Sequence, residues 1–427
     1  MIAWSCCRSW LGSVGRVVVS ALISAGLIGA GTAWAQALPF AWSTAGADGD
    51  AFGDLSGNAE AELRLFPQTS PSSERKDTGM SLAFELRYEV EASNGKHLFS
   101  LVPFARLDAR DDARTHFDVR EANWTGIFGD WEVSLGVDKV FWGVIESVHL
   151  VDVINQADFV EDVDDEDRLG QPMARLSFDS DWGVFTGFVM PYFRERVFPG
   201  RKGRPATLLP VDRSQTRFQA KGDNWHADWA LRWSHAAGPF DIGIAHFSGA
   251  SREPRLLPGA DRDGNPVLIP IYDLIDQTSV DLQATLGAWL WKFEGVTVDG
   301  PVGRHFAAAA GFEYTAFGLM GGASDLGLLA EFLYDDRGRA GSSPFEEDLF
   351  AGLRWSANDV AGATVLAGAI FDLDTSAKAV NVEAGRRIGE AWRISIDARL
   401  FVGVPVLDPL FAISRDDFIQ LRLGRFF

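Results

Sequence analysis

Segments of about ten residues in which apolar and polar side chains alternate recur along most of this sequence, and they constrain its fold more than any other feature. Residues 82–91, 225–234 and 392–400 are clear examples, since apolar side chains dominate every second position. Successive side chains of a β-strand point to opposite faces of a sheet, so each segment predicts a strand with one apolar and one polar face. The length of these strands matches a tilted crossing of a lipid bilayer.

A soluble β-sandwich also has alternating strands, but other features favour a transmembrane β-barrel. The polar faces carry charges at several successive positions, as at Glu85, Arg87 and Glu89. Tryptophans fall near the ends of predicted strands, where the aromatic girdles of a membrane barrel lie, at Trp131, Trp142, Trp182 and Trp355. The sequence after residue 35 has no apolar run of about 18 residues, so we expect no transmembrane helix there.

The connections between the predicted strands alternate between short and long, which is typical of tight periplasmic turns and longer extracellular loops. Short connections lie at 92–96, 128–130, 236–239 and 389–390, and long ones lie near 143–171, 194–224, 249–276 and 403–416. We predict an all-β, antiparallel barrel of eighteen strands, with sixteen possible because no turn is evident near Gly287. An even count places both ends of the barrel on the periplasmic side. The predicted strands are 56–66, 80–91, 97–107, 116–127, 131–142, 172–180, 182–193, 225–235, 240–248, 277–287, 289–298, 305–315, 325–335, 346–357, 363–373, 377–388, 391–402 and 417–427.

The last predicted strand, Phe418–Phe427, is expected to close the barrel against the first, near Gly57–Phe66. It ends on an aromatic residue, the signal that the barrel-assembly machinery is thought to recognise, although Arg425 interrupts the apolar row. The apolar face of this strand carries Ile419, Leu421, Leu423 and Phe427.

The first 35 residues are expected to be a cleaved secretory signal peptide. Arg8 and Arg16 precede an apolar run at residues 17–30. Small-residue cleavage sites follow it, either Ala33-Trp34-Ala35 or Ala35-Gln36-Ala37, and Gln36 is the expected mature start. Both cysteines lie in this leader, which excludes disulfides and thiolate chemistry from the single barrel domain predicted for residues 36–427. The leader holds two of the 39 Lys and Arg residues and none of the 59 Asp and Glu residues. The net charge of the mature chain is therefore −22, which argues against nucleic acid as a partner.

Two neighbouring long loops carry opposite charge. Facing charges could pair across the barrel mouth as a lid, or fold inward and constrict the lumen, where rings of charge set ion selectivity. The simpler interpretation, favoured here, is two solvated loops, whose exposed ion pairs are worth only about 0–1 kcal/mol each. The acidic loop carries Asp158, Glu161, Asp162, Asp164, Asp165, Glu166 and Asp167, and the basic loop carries Arg194, Arg196, Arg201, Lys202 and Arg204.

Further charges fall on the predicted lumen faces of the later strands. Charges inside a membrane protein are costly unless they face water or a partner, so we expect a ladder of ion pairs. Such a ladder either braces a narrow barrel or lines a polar channel, and the sequence is compatible with both. The candidate lumen charges are Lys292, Glu294, Glu313, Glu331, Arg354, Glu383, Arg387, Asp397 and Arg399.

Enzymatic and metal-binding functions find little support. The seven histidines are scattered without a pair at metal spacing, and we expect no catalytic residue, cofactor or metal site. Trp233-Ser234-His235 has the reverse of the order that an outer-membrane phospholipase needs. Asp261–Asn265 is similar to the start of a calcium loop but lacks the later glutamate ligand, so it predicts a polar turn.

Several stretches resemble a family of uncharacterised, porin-like outer-membrane β-barrel proteins of proteobacteria. They are Val140–Gly143, Val151–Gln156, Gly311–Thr315, Leu328–Gly338 and Arg415–Phe418. The resemblance covers most of the mature chain and implies the barrel and the outer-membrane location, but no substrate. It also implies that the segment with Trp142-Gly143 and Asp152–Asn155 enters the lumen from a strand end.

The resulting expectation is a porin-like channel or passive transporter for small polar solutes. A closed structural or adhesin-type barrel, whose extracellular loops bind partners, is the alternative. The expected partners are membrane lipid, the barrel-assembly machinery during biogenesis and small polar solutes. The sequence leaves the solute and the oligomeric state open.

Overall fold

The computed structural model describes residues 51–93, 95–341 and 343–427. The predicted signal peptide, residues 1–35, and the expected mature start at Gln36 lie outside the described residues. Among the described residues, no helix has the length and apolar character that crossing a membrane requires.

The strands are β1 (Ala51–Leu65), β2 (Thr78–Ala92), β3 (His97–Asp108), β4 (His116–Phe128), β5 (Trp131–Asp138), β6 (Gln171–Ser180), β7 (Gly183–Met190), β8 (Arg217–Phe218), β9 (Asp228–Ala237), β10 (Phe240–Ala250), β11 (Arg255–Ala260), β12 (Pro266–Tyr272), β13 (Leu274–Leu286), β14 (Trp289–Asp299), β15 (His305–Ala316), β16 (Asp325–Asp335), β17 (Glu347–Ser356), β18 (Thr364–Asp372), β19 (Lys378–Ile388), β20 (Trp392–Val402) and β21 (Phe418–Phe426).

Eighteen of these strands form one antiparallel sheet that closes on itself. They pair in chain order, except that β7 pairs directly with β9 and β10 with β13. The ring closes because β1 pairs with both β2 and β21. Residues 58–65 pair with residues 419–426, and the amide of Gly57 donates to the carbonyl of Phe427 at 2.9 Å. The predicted eighteen-stranded barrel, closed by its C-terminal strand, is confirmed.

The join that the sequence left open lies between β13 and β14. Leu286 pairs with Trp289 across a two-residue turn. Gly287, in this turn, has a φ of +65°, a left-handed conformation that glycine adopts without steric cost. The glycine is the only signal of the turn, because Ala288 beside it is not a typical turn residue.

The barrel is apolar outside and polar inside, as a membrane barrel requires. On β2 the outward side chains of Leu82 and Phe84 are exposed, whereas the inward side chains of Ser81 and Ala83 are buried. On β21 the predicted apolar face also points outward, and Arg425 on that face lies over the Trp392 ring, 5.8 Å from its centroid. An exposed apolar band is favourable only in contact with lipid, so the outer surface follows the predicted alternation.

One strand ends earlier than predicted because the chain turns into the barrel. β5 ends at Asp138 rather than near residue 142. The amide of Val140 donates to the side chain of Asn155 at 2.8 Å, and that of Trp142 to Asp152 at 2.8 Å. Placing Trp142 in an outer girdle was therefore wrong, since its indole N–H donates to the carbonyl of Val151 at 2.7 Å inside the barrel.

The long segments predicted as loops at 194–224 and 249–276 contain a small separate sheet. β11 and β12 form a hairpin, and β8 adds to β12 in parallel. Alternation is hard to read here because Pro258, Pro266 and Pro270 occupy strand positions. Asp261–Asn265 form the turn of this hairpin, with the Asp261 carboxylate accepting from two later amides, so the predicted polar turn is confirmed.

Candidate functional site

Residues 139–170, which connect β5 to β6, form a segment that we call the inner loop. It contacts the inward faces of β14 and β16 through its leading half, residues 139–154. Its trailing half, residues 155–170, contacts β1, β3, β4 and β20. β4 and β16 are the fourth and thirteenth strands of the ring of eighteen, so they lie on opposite sides. The inner loop therefore crosses the lumen.

The leading half is held by backbone amides that donate to two buried glutamates on the wall. Glu294 on β14 accepts from four amides, those of Val144 at 2.6 Å, Ile145 at 2.9 Å, Leu150 at 3.1 Å and Val151 at 3.3 Å. Glu331 on β16 accepts from the amides of Glu146 and Ser147, each at 2.9 Å, and from the Ser147 hydroxyl at 2.6 Å. Hydrogen bonds to carboxylates are about twice as strong as neutral ones, so these two side chains fix the course of the loop backbone.

Apolar packing against the wall adds to these bonds. Ile145 lies in a buried cluster with inward side chains of the wall, which include Leu329, Leu333, Phe350, Leu366 and Ile370. Val153 and Ile154 lie in a second cluster with Met173 and Phe188. Burying an aliphatic side chain of this size contributes about 1.5–3 kcal/mol, so the leading half is anchored by its core as well as by its amides.

Glu146 is the one acid of the leading half that makes an ion pair with the wall. Its carboxylate lies 2.7 Å from Arg354 on β17 and 3.4 Å from Lys292 on β14. Burial alone raises the pKa of Glu146, but Lys292 and Arg354 outweigh it and bring the pKa below the ordinary value. The side chain is therefore held as a buried carboxylate.

The trailing half is held by carboxylates that pair with wall arginines. Arg399 on β20 lies 3.2 Å from Asp162 and 2.5 Å from Asp164. Asp162 also lies 3.7 Å from Arg422 on β21 and 4.0 Å from Arg64 on β1. Asp162 and Asp164 are buried. The favoured interpretation of a solvated loop is therefore wrong for these residues.

Two further acids of the trailing half reach the strands that follow β2. Glu161 lies 2.7 Å from Arg106 on β3, and Asp158 lies 2.8 Å from Arg120 on β4. Burial raises the pKa of Glu161, but Arg106 and Arg114 bring it below the ordinary value. Burial raises the pKa of Asp158, and Arg120 only partly offsets this. The two carboxylates therefore differ in how fully the wall compensates their charge.

The remaining acids of the trailing half make contacts within the loop itself. Asp165 pairs with Arg168 at 3.0 Å within the loop itself. The amide of Glu166 donates to Asp164 at 3.2 Å, and the exposed Asp167 uses its carbonyl to accept from the amide of Asp158 at 2.7 Å. Of the predicted acidic residues, Asp158, Glu161, Asp162 and Asp164 are thus paired with wall arginines, whereas Asp165 pairs within the loop.

The basic loop makes its ion pairs mostly with residues outside the acidic loop. Its cations pair elsewhere, with Arg194 2.8 Å from Asp118, Arg201 2.8 Å from Asp261, and Arg204 2.7 Å from Asp416. Arg196 donates to Gln156 at 3.1 Å and lies over the Phe159 ring, while Lys202 is exposed. The two loops touch, but Arg194, Arg201 and Arg204 pair outside the acidic loop, so for these three the alternative of charges paired across the mouth as a lid is not observed.

The predicted lumen charges divide into two groups. Those that contact the inner loop are Lys292, Glu294, Glu331, Arg354 and Arg399. The others pair along the wall or at its end: Glu313 lies 3.4 Å from Arg354, Asp397 3.4 Å from Arg422, Glu383 accepts from Asn381 at 2.7 Å, and the exposed Arg387 donates to the carbonyl of Val360 at 2.9 Å. The wall mainly holds the loop rather than forming a continuous ladder.

Several functional residues were missed by the sequence analysis. Glu62 on β1 forms ion pairs with four arginines, since Arg114 lies 2.7 Å, Arg64 3.1 Å, Arg106 3.3 Å and Arg422 3.4 Å from it. Apart from Arg422, these side chains and Arg120 lie on the early part of the chain, whereas the predicted lumen charges all came from later strands. The same period of two on β1, β3 and β4 would have identified those on the strands, because they occupy inward positions.

Charges nearer the short-turn side of the barrel remain partly open to water. Arg87 on β2 lies 3.3 Å from Glu89 and 3.4 Å from Glu121, with Arg87 and Glu89 about two-fifths exposed. Arg175 on β6 lies 3.1 Å from Glu132. This part of the lumen is polar and accessible, in contrast to the buried ion pairs of the trailing half.

Comparison with solved structures finds closed barrels of similar architecture. OccD3 (OpdP) of Pseudomonas aeruginosa is similar with a TM-score of 0.52 at 10% sequence identity, covering 88% of this chain and 90% of that one. The fold is that of outer-membrane porins. A loop-deletion mutant of OmpT from Vibrio cholerae gives a TM-score of 0.45 at 10% identity, covering 88% of this chain and 100% of that one. A mutant of Rh. blastica porin gives 0.42 at 11% identity with the same coverages.

These likenesses show the fold alone, because the identities are low. No family model matches the sequence, and no curated protein matches it either. The resemblance to a proteobacterial family stays a prediction.

Proposed function

We propose that this chain is an outer-membrane channel through which small polar solutes diffuse, and that the inner loop sets the width and charge of its lumen. The observation that carries this proposal is a loop that crosses an eighteen-stranded barrel and is fixed to opposite walls. A closed ring of this size encloses more space than its own side chains fill, so a chain segment inside it determines what passes. The signal peptide and the outer-membrane location belong to the same proposal.

The candidate constriction residues are those that join the loop to the wall. Asp162, Asp164 and Arg399 lie on one side, and Glu146, Lys292 and Arg354 lie on the other. Fixed charges of both signs at a narrow passage select solutes by charge and size. The half-exposed Arg87 and Glu89 would then line the wider part of the route.

Planar-bilayer recording of the refolded mature chain tests the proposal. We expect single-channel steps from the wild type, and a changed conductance and ion selectivity in the double variant Asp162→Asn and Asp164→Asn. The matched control is Asp261→Asn, an acid in the hairpin outside the barrel wall, which should leave both unchanged. Absence of conductance steps from folded wild-type protein would contradict the channel.

One observation favours the alternative of a closed barrel that acts as a scaffold for its outer loops. Wall side chains on both sides of the lumen, including Glu294, Phe350 and Gln420, are fully buried. If the lumen is closed, wild-type protein gives no steps, while replacing residues 157–168 by a short Gly-Ser linker opens a stable conductance. The two functions thus give opposite results in the same measurement.

A further inference from the structure

A histidine and two carboxylates meet where the trailing half of the inner loop touches β4. His116 is the first residue of β4, and Asp158 and Glu161 belong to the loop. One potential ligand atom from each of the three lies within 4.8 Å of the others. The imidazole Nε2 is 3.5 Å from a Glu161 oxygen, close to the separation of two ligands on a tetrahedral ion with bonds of about 2.1 Å.

The tautomer of His116 follows from its other nitrogen. Nδ1 lies 3.0 Å from the carbonyl oxygen of Arg114, and a carbonyl can only accept, so Nδ1 carries a hydrogen. In the neutral imidazole, Nε2 then presents a lone pair toward the two carboxylates. Most metal-binding histidines are oriented in the same way, by donating the other ring N–H to a carbonyl or carboxylate.

Two polar atoms of this cluster lack a hydrogen-bond partner among the described residues. They are Nε2 of His116 and Oδ1 of Asp158, and the latter belongs to a side chain that is 1% exposed. A lone pair and carboxylate oxygens cannot satisfy one another, and a buried polar atom without a partner costs about 1–3 kcal/mol. A cation placed between them would remove this cost.

We propose that His116, Asp158 and Glu161 bind a divalent transition-metal ion of the Zn²⁺ class. One imidazole nitrogen with two carboxylate oxygens suits such an ion, whereas Ca²⁺ and Mg²⁺ prefer oxygen ligands alone. Arg120 lies 2.8 Å from Asp158 and Arg106 lies 2.7 Å from Glu161, and these ion pairs orient the two carboxylates. The bound ion links β4 to the trailing half of the inner loop.

This site is independent of the proposed channel, since it requires only the folded barrel. No metal site was expected from the sequence, because its histidines do not form pairs at the spacing of metal ligands. Here a single histidine is joined by acids about forty residues later in the chain, and only the inward course of the loop brings them together.

Zn²⁺ binding to the refolded, metal-free full barrel tests the site by isothermal titration calorimetry at neutral pH. We expect one Zn²⁺ per chain, no comparable heat with Ca²⁺, and binding weakened by about tenfold or more in His116→Ala and in Asp158→Asn. The matched control is His226→Ala, which removes a histidine that contacts one carboxylate, Asp228, at 2.9 Å. That variant should bind like the wild type.

Heat-dependent migration on gels shows whether each variant is folded, and Co²⁺ absorption supplies a second readout. In folded wild type, Co²⁺ should give ligand-field bands that are lost in His116→Ala and kept in His226→Ala. A folded wild type that binds no Zn²⁺ would overturn the proposal. Equal binding by His116→Ala would also overturn it.

Discussion

The two halves of the inner loop are fixed to opposite walls by opposite chemistry. In the leading half the wall supplies most of the acids, since loop amides donate to Glu294 and Glu331, and Glu146 is the one loop acid that pairs with the wall. In the trailing half the loop supplies the acids, and wall arginines such as Arg399 and Arg106 donate to them. Both arrangements leave charged groups buried at membrane depth with their hydrogen-bonding capacity largely used.

The two kinds of contact respond differently to mutation. Amide contacts depend on the path of the backbone, so they tolerate changes in the loop side chains but not in the wall glutamates. Side-chain ion pairs depend on residue identity on both partners, and removal of either one leaves an uncompensated buried charge. The leading half therefore sets where the loop lies, and the trailing half sets the charge that it presents.

The largest effect is expected from Glu294→Ala. Four amides lose their common acceptor, and at about 1–3 kcal/mol for each buried unsatisfied group the free energy of unfolding should fall by about 4 kcal/mol or more. Hydrogen exchange should accelerate at residues 144–151, and urea unfolding in detergent gives the energy.

Glu294→Gln is the control for this change, because the amide side chain keeps one acceptor oxygen. It should lose roughly half as much stability as the alanine variant. If the alanine variant exchanges these amides as slowly as the wild type, the leading half is held by its apolar packing alone.

Arg399→Met should have the next largest effect, at the trailing half. Asp162 and Asp164 lose their shared partner, and breaking a buried ion pair costs about 3–5 kcal/mol. We expect a loss near the lower end, about 3 kcal/mol, because Arg422 and Arg64 also lie near Asp162. Urea unfolding measures this loss.

A double-mutant cycle sharpens the interpretation. Adding Asp164→Asn to Arg399→Met should restore part of the stability, since one uncompensated buried charge is removed. If the losses in the free energy of unfolding are strictly additive, Arg399 and Asp164 do not interact. The trailing half would then not be held by specific side-chain ion pairs.

A smaller effect is expected from pH at Glu146, the ion-paired acid of the leading half. The pKa of this group is below the ordinary 4.5, because Lys292 and Arg354 outweigh its burial. A lowered pKa contributes stability that is fully present above the unfolded value and is lost as the pH falls through the folded value. The free energy of unfolding should therefore decline below about pH 4.5, and this part of the decline should be absent in Glu146→Gln. If the wild type and Glu146→Gln show the same pH dependence of stability, Glu146 does not contribute to it and the prediction is wrong.

Much of the fold could be predicted from the sequence, because strand alternation and turn lengths are local properties. The charged residues Asp162, Asp164 and Arg399 could be selected as candidates, but not paired, since their positions are more than two hundred residues apart. The contacts of Glu294 could not be predicted at all, because backbone amides carry no sequence signature. Trp142 was misplaced for a related reason: a tryptophan near a strand end fits an outer girdle and an inward turn equally well.

The smallest effect on stability is expected from Asp165→Asn. This variant tests whether an acid that pairs only within the loop matters less than an acid that contacts the wall. Asp165 pairs within the loop with the buried Arg168 at 3.0 Å but is itself partly exposed, so its loss should cost about 1–2 kcal/mol, less than the roughly 3–5 kcal/mol of a fully buried pair. Its φ of +63° is a left-handed conformation that asparagine tolerates well, so the substitution adds no backbone strain. Asp164→Asn, one residue away, should cost clearly more in the same unfolding measurement, because it faces Arg399. Equal losses of stability in the two variants would mean that the negative charge of the loop matters rather than contact with the wall. The difference between the two halves would then rest on the amide contacts alone.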